Sequence, residues 1–315
     1  MAKSMKAAVI HNFGESNRFS IEDQPIPVLK DGEVLVEVYA SGINPIDFKT
    51  RLGEGVSRIW KSTIFPIILG WDISGIVVES KSIAFSVGDE VFGMPRFPSL
   101  ANGYAEFVSA PATDLALKPP NISHIEAAAT PLAALTAWQG LFSAAKLKRD
   151  QTVLIHAGAG GVGHFAIQLA RWAGAHVSAT TSSRNLEFVA KLGAKDIIDY
   201  SSVNFWDNLR NIDVVFHMIS PELRGMSYKT MRPGGHLISI TGPVPTDEPK
   251  AHNVTGEFIS VRPSADQINQ LSNLLAAGEI KVNVERTYQL ADISKAHEHV
   301  EGGHTRGKVV INLKS

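Results

Sequence analysis

The chain has 315 residues, 44% of them hydrophobic, with 30 Lys and Arg set against 31 Asp and Glu for a formal net charge of −1. That length supports one large core or two smaller ones, and the balanced charge gives no electrostatic reason to expect nucleic acid or an anionic membrane as partner. Cysteine is absent, which excludes disulfides, thiolate metal sites and a cysteine nucleophile.

The opening MAKSMKAAVI reads as a strand start rather than a signal peptide. No apolar run approaches the ~20 residues of a membrane span, so a cytoplasmic chain is expected. The first third is β in character. Residues 6–10 form a short strand, and residues 33–39 alternate through Val34, Val36 and Val38 as a partly buried strand does. Residues 73–79, 89–92 and 104–109 read alike, the second of them after a turn at Gly88 and Asp89. From 123 to 145 the pattern turns helical, with a break at Pro131.

Residues 153–181, VLIHAGAGGVGHFAIQLARWAGAHVSATT, carry the most information. Val153, Leu154, Ile155 and His156 suit a buried parallel strand. Gly158, Gly160 and Gly163 then satisfy G-x-G-x-x-G, an amphipathic run covers 165–172, and residues 176–179 close the unit as a second strand. In a βαβ unit of about 30 residues this pattern marks a dinucleotide site. Glycines allow a tight turn and close backbone approach to a pyrophosphate, and the helix N-terminus offers that anion N–H groups and partial positive charge. NAD-preferring sites usually place an acid about 20 residues past the turn, to hold the ribose 2′-hydroxyl. Here stand Thr180, Thr181, Ser182, Ser183 and Arg184. Hydroxyls with a guanidinium suit a 2′-phosphate, which a carboxylate would repel. The expected cofactor is NADPH.

Further strands at 196–199, 213–217 and 236–240 alternate with helices at 185–192, 202–209 and 223–231, which describes a doubly wound parallel sheet. Residues 233–235, Pro-Gly-Gly, are read as the turn into the last of these strands. A helix at 264–277 and a strand at 307–313 complete the chain. His297, His299 and His304 cluster with Glu298 and Glu301. Residues two apart do not share a helix face, so a solvated helix and loop is expected there rather than a metal site.

Several short stretches in order carry a family resemblance: SGINPIDFKTRLG (41–53), LGWDISGIV (69–77), VGDEVFG (87–93), GYAEFV (103–108), TPLAALTAWQGL (130–141), HAGAGGVG (156–163), MRPGGHLISI (231–240) and GHTRGKVVINL (303–313). Over nearly its whole length the chain resembles the zinc-independent quinone oxidoreductases and alkenal reductases of the medium-chain dehydrogenase/reductase superfamily. The resemblance implies an α/β chain with a GroES-like β domain (1–124), a Rossmann domain (125–257) and a C-terminal return (258–315), with the active site in the cleft between domains. Zinc alcohol dehydrogenases of the superfamily carry Cys where this chain has Ser41, and Gly-His-Glu where it has Gly70, Trp71 and Asp72. Asp72 alone could bind a cation; no metal site is expected.

The chemistry so implied is hydride transfer from NADPH to a quinone or to the β-carbon of an enone, with charge building on the acceptor oxygen. Asn44 and Lys49, on the segment that faces the nicotinamide in the family, are the expected catalytic residues, and Asp47 is expected to orient that segment. The expected cofactor contacts are the turn Gly158, Gly160, Gly161, Val162 and Gly163, then Thr181, Ser182, Arg184 and Tyr200 at the 2′-phosphate. Thr136 is expected at the nicotinamide ribose, and Gly242 and Lys308 complete the set. The partner is a small-molecule quinone or conjugated carbonyl; an enoyl-thioester reductase and a non-catalytic NADPH-binding protein are the alternatives. Related Rossmann domains often pair through their last sheet strand, so a homodimer joined at 236–240 is expected.

Overall fold

The computed structural model describes residues 4–314. They divide into two compact units: one runs up to Leu135 and resumes at Arg262, the other is Thr136–Val261.

The first unit opens with β1 (Ser4–Ile10), β2 (Phe19–Pro25), β3 (Glu33–Ile43), α1 (Pro45–Arg51), β4 (Ile67–Ile68), β5 (Asp72–Ser80), β6 (Glu90–Gly93), β7 (Phe107–Pro111), β8 (Leu115–Leu117) and α2 (His124–Ala128). Strand β3 is its spine. Val34, Val36 and Val38 are fully buried, and the strand pairs antiparallel with both β5 and β7. The helices start where their sequences dictate. Pro45 opens α1, where its missing N–H costs nothing, and the Asp47 carboxylate accepts the Asn44 backbone N–H at 2.7 Å. Ser123 and Glu126 form the reciprocal cap of α2.

Helix α3 (Pro131–Trp138) carries the chain into the second unit. There follow β9 (Thr152–Ile155), α4 (Gly163–Trp172), β10 (His176–Thr181), α5 (Leu186–Leu192), β11 (Asp196–Asp199), α6 (Phe205–Asn208), β12 (Ile212–His217), α7 (Arg224–Tyr228), β13 (Met231–Ser239), α8 (Asp247–Lys250) and β14 (Thr255–Phe258). The six strands lie in the order β11-β10-β9-β12-β13-β14, every pairing parallel. This is the doubly wound order, and its switch point falls between β9 and β12, where such sheets bind ligands beyond their C-terminal ends. Leu154, Val215 and Leu237, fully buried on three adjacent strands, anchor the core beneath that edge.

The chain then returns to the first unit with α9 (Ala265–Ala276), β15 (Val284–Gln289), α10 (Ile293–Glu301) and β16 (Lys308–Asn312). Strand β16 pairs antiparallel with the end of β3, setting Val309 opposite Ile43.

Three expectations are corrected. Residues 236–240 are not the sheet edge, because β14 pairs with β13 across His236–Thr255 to Ser239–Phe258. Its sequence TGEF has no apolar run, so a strand whose burial comes only from its neighbour left no signal. Pro233, Gly234 and Gly235 do not precede β13; they lie inside it, where the ladder to β12 shifts register between Ile212 and Val214. The helix expected over 202–209 shrinks to α6, because Ser201 and Ser202 are engaged with Asp199.

Candidate active site

The dinucleotide turn stands where the motif put it, between β9 and α4. Its glycines serve close packing rather than unusual dihedrals. Within the turn the left-handed position is Ala157, with φ 49°, while Gly158, Gly160 and Gly163 have no positive φ. A Cβ on Gly163 would lie 2.2 Å from the Ala157 carbonyl oxygen, and one on Gly158 2.9 Å from Ile167 Cδ1. On Gly160 it would meet only that same carbonyl, at 3.3 Å. Gly160, Gly161 and Val162 are half-buried at the head of the ten-residue helix α4. A bare backbone at a helix start, open on its outer side, fits a pyrophosphate.

At the end of β10, Thr181 is buried, Ser182 half-buried and Arg184 exposed. Tyr200 is exposed, and its N–H donates to the Thr181 carbonyl at 3.1 Å. The structure therefore brings Thr181, Ser182, Arg184 and Tyr200 to one strand end. It also brings an acid, contrary to the sequence reading. Asp199 lies opposite Thr181 in the β10–β11 ladder. Its carboxylate accepts the hydroxyls of Ser183 at 2.6 Å and Ser202 at 3.0 Å, and that of Ser201. These hydrogen bonds, Ser183 first, hold Asp199 well below the usual carboxylate range. The acid arrives from the third strand, β11, rather than from the end of the second, where NAD-preferring sites usually carry it.

In the first unit, Asn44 is embedded in a buried polar cluster. Its Nδ2 donates to Asp72 Oδ2 at 2.8 Å, and its Oδ1 accepts from the Lys308 ammonium. Lys308 also donates to the Ile43 carbonyl at 3.0 Å and stands 3.5 Å from Asp72. The second Asp72 oxygen accepts the Leu132 N–H at 2.7 Å. Burial pushes Asp72 up and Lys308 down, each opposed by the other's charge. Asp47 is pushed up to about 7, chiefly by burial. Beside it, the buried Tyr104 hydroxyl faces His297 Nε2 at 3.3 Å. Arg51, also wholly buried, pairs with Glu301 at 2.7 Å. So Lys308, expected at the cofactor, is held by Asn44, Asp72 and Ile43. Lys49 is exposed on α1, while Asp47, Thr50 and Arg51 of the same helix are buried.

His297 is fully buried against Phe19 and Tyr104, which corrects the solvated reading of that helix. His299 bonds to Tyr288 and Glu285, each at 3.0 Å. Among the described residues no group of three or more His, Asp or Glu is placed to hold a metal ion. Thr136 is buried in α3. Gly242 follows β13, its carbonyl accepting from Ser239 Oγ at 2.9 Å. Sequence reasoning missed Arg51, Tyr104, His297 and Asp199. Arg51 and Tyr104 lie in the resembling stretches SGINPIDFKTRLG and GYAEFV, and His297 in the histidine cluster, but nothing local to these stretches marked them as buried.

Residues 30–120 match the alcohol dehydrogenase GroES-like domain family, and residues 192–311 match the zinc-binding dehydrogenase family. The NADPH-dependent alkenal/one oxidoreductase, chloroplastic, of Arabidopsis thaliana is 33% identical over 98% of this chain and 80% of its own length. The quinone oxidoreductase from Coxiella burnetii superposes with a TM-score of 0.93 at 33% identity, over 99% of this chain and 100% of that one. A mycobacterial structure complexed with NADPH matches at 28% identity and a TM-score of 0.86, covering 98% of this chain and 99% of that one. Among the described residues no helix is long and apolar enough to cross a membrane.

Proposed function

The chain belongs to the medium-chain dehydrogenase/reductase superfamily as an oxidoreductase of its quinone oxidoreductase branch, and we propose that it is an NADPH-dependent, zinc-independent reductase of quinones or α,β-unsaturated carbonyls. The observation that carries the reading is the bare-backbone turn at the sheet's switch point, joined to a strand end bearing Ser182 and Arg184. Bound there, NADPH supplies the hydride. The N–H groups at the head of α4 hold the pyrophosphate, and Arg184 with Ser182 and Tyr200 hold the 2′-phosphate. Asn44 keeps one Nδ2 hydrogen beyond its bond to Asp72, and that hydrogen is the donor to the acceptor oxygen as charge develops. Lys308, by holding Asn44 Oδ1, fixes the amide's orientation. Lys49 supplies the proton that an enone needs after reduction.

Zinc independence is supported by the donor set. Ser41 donates its hydroxyl to the Asp72 carbonyl at 2.9 Å, Trp71 offers no ligand, and both Asp72 oxygens are engaged by protein N–H groups. A homodimer is proposed as well, since β14 is a sheet edge carrying the exposed Phe258 and pairing would cover it; light scattering measures it.

The deciding experiment is steady-state NADPH oxidation with a panel of quinones, alkenals and enoyl thioesters, before and after exhaustive chelation. Turnover of quinones or alkenals that survives chelation is expected. Turnover of enoyl thioesters alone would move the substrate class, and cofactor binding without any turnover would leave a binding protein.

A further inference from the structure

Four side chains outside the reaction scheme form one continuous buried chain in the second unit. His217 Nε2 lies 3.1 Å from the Ser220 carbonyl, and His217 Nδ1 lies 3.1 Å from Ser227 Oγ. Ser227 Oγ is also 3.1 Å from His156 Nε2, and His156 Nδ1 is 3.1 Å from Thr180 Oγ1. Thr180 Oγ1 accepts the Ala157 N–H at 3.2 Å. His156, His217 and Ser227 have no exposed surface.

The proton positions follow from the chemistry of the ends. The Ser220 carbonyl can only accept, so His217 Nε2 carries the hydrogen. In a neutral ring His217 Nδ1 is then an acceptor and takes the Ser227 proton. Ser227 Oγ accepts from His156 Nε2–H, and His156 Nδ1 accepts the Thr180 proton. That leaves the Thr180 oxygen lone pairs for the backbone N–H of Ala157. Burial holds both rings neutral, pushing His156 down to about 3 and His217 to about 4.

Both ends of the chain stop at the ligand-binding edge of the sheet. Ala157 is the left-handed residue of the dinucleotide turn, and its carbonyl accepts the Gly160 N–H at 2.9 Å. Thr180 holds the turn twice, since its own carbonyl accepts the Gly158 N–H at 2.8 Å. At the other end Ser220 precedes Pro221, whose Cγ would be 3.7 Å from a Cβ on Gly242. The chain thus ties together the C-terminal ends of β9, β10 and β12.

We infer that His156, Ser227 and His217 are positioning residues for the nicotinamide dinucleotide, acting as a one-directional hydrogen-bond chain that sets the Ala157 turn through Thr180. The inference rests on the cofactor reading above and adds a set of residues that never touch the cofactor. Leaving a buried donor or acceptor unpaired loosens the turn it holds, and a loss on the order of tenfold in dinucleotide affinity is expected.

The test uses the full chain, with NADPH and NADH binding read by fluorescence titration. Ser227→Ala should weaken both dinucleotides equally, by about tenfold, because the pyrophosphate turn is common to them. Ser227→Thr should restore binding by restoring the hydroxyl. Thr180→Val removes both links of that hydroxyl, to His156 and to the Ala157 N–H, and should reproduce the equal loss, which covers the case of Ser227→Ala failing to fold. Long-range ¹H–¹⁵N spectra of the wild type should show His156 and His217 both as neutral Nε2–H tautomers. Wild-type affinity in Ser227→Ala and Thr180→Val, or an Nδ1–H tautomer at either ring, overturns the inference. A wild type that binds neither dinucleotide overturns the cofactor reading and this role with it, whereas unchanged variants of a wild type that binds overturn this role alone.

Discussion

The two units each bury a polar network, and the networks differ in kind. In the second unit the chain through His156, Ser227 and His217 is neutral, and each ring nitrogen has a partner. In the first unit the network is ionic. Asp47, Asp72, Lys308 and Arg51 are all buried, and Arg51 Nε and Nη1 and His297 Nδ1 have no hydrogen-bond partner among the described residues. A closed neutral chain rigidifies. A buried ionic cluster is a weak source of stability and costs heavily when one partner is removed. Under the proposed function, the neutral chain would position the cofactor and the ionic network would serve the reacting end of the chemistry.

The largest expected effect breaks the ionic network. Lys308→Met leaves Asp72 and Asp47 buried without their cation and should destabilise the protein by about 3–5 kcal/mol, read by urea denaturation. Adding Asp72→Asn should recover much of that loss; a double variant less stable than the single one would show that the cation is not balancing Asp72.

Asn44→Ala sharpens the contrast kinetically. Removing a donor that acts on transition-state charge typically costs about 2.7–4 kcal/mol, or 10²–10³ in kcat. NADPH affinity should stay near wild type, opposite to the pattern expected of Ser227→Ala. Full turnover on every active acceptor would make Asn44 scaffold.

Acid titration separates the networks by sign. His156 and His217 are held neutral in the fold, near 3 and 4, and protonate when unfolded below about 6.5. Their stabilisation is therefore present above pH 6.5 and lost as pH falls, by about 1.4 kcal/mol per pH unit for each histidine. In the first unit His297, pushed down to about 3 by burial and the Arg51 charge, behaves likewise. Asp47 opposes it. Its folded carboxyl holds a proton up to about 7 among Asp72, Lys308 and Tyr104, so its contribution is present below about 3.8 and lost as pH rises through 7. Asp47→Asn should therefore steepen the loss of stability between pH 6.5 and 5, followed by urea denaturation at each pH. A shallower acid limb in that variant would reverse the assignment.

The smallest effects lie at the adenosine end, where the two charges compete. Arg184→Ala should weaken NADPH and barely change NADH, and equal loss for both would show that the guanidinium does not meet the 2′-phosphate. Asp199→Asn should favour NADPH over NADH by a few-fold at most, because solvent screens an exposed charge. An unchanged ratio would mean that its three serine partners already neutralise its influence.

Periodicity and the glycine motif made the Rossmann-like strands legible up to β13, because each fully buried parallel strand is a nearly continuous apolar run. Strands β14 and β15 had no such run: TGEF and VERTYQ are half or more exposed along their length, and their pairing is set by neighbours distant in sequence. The same limit applied at the sites. Asn44 was expected from the family resemblance, and the 158–163 turn and Arg184 from residue types at short spacing, so none of these expectations needed long-range register. Asp199 did, because it reaches Ser183 only through the parallel register of β10 and β11.

The sequence by itself determined the class of the fold, the presence and place of the dinucleotide turn, and the absence of any thiolate chemistry, since these follow from residue types at short spacing. Only the tertiary structure decided that Lys308 meets Asn44 across 264 residues, that His297 is buried beside Tyr104, and that His156 and His217 share one serine. Each of those contacts joins segments that are neighbours only after the sheets have formed; alternation along a strand says which face is buried but not which distant segment it will meet.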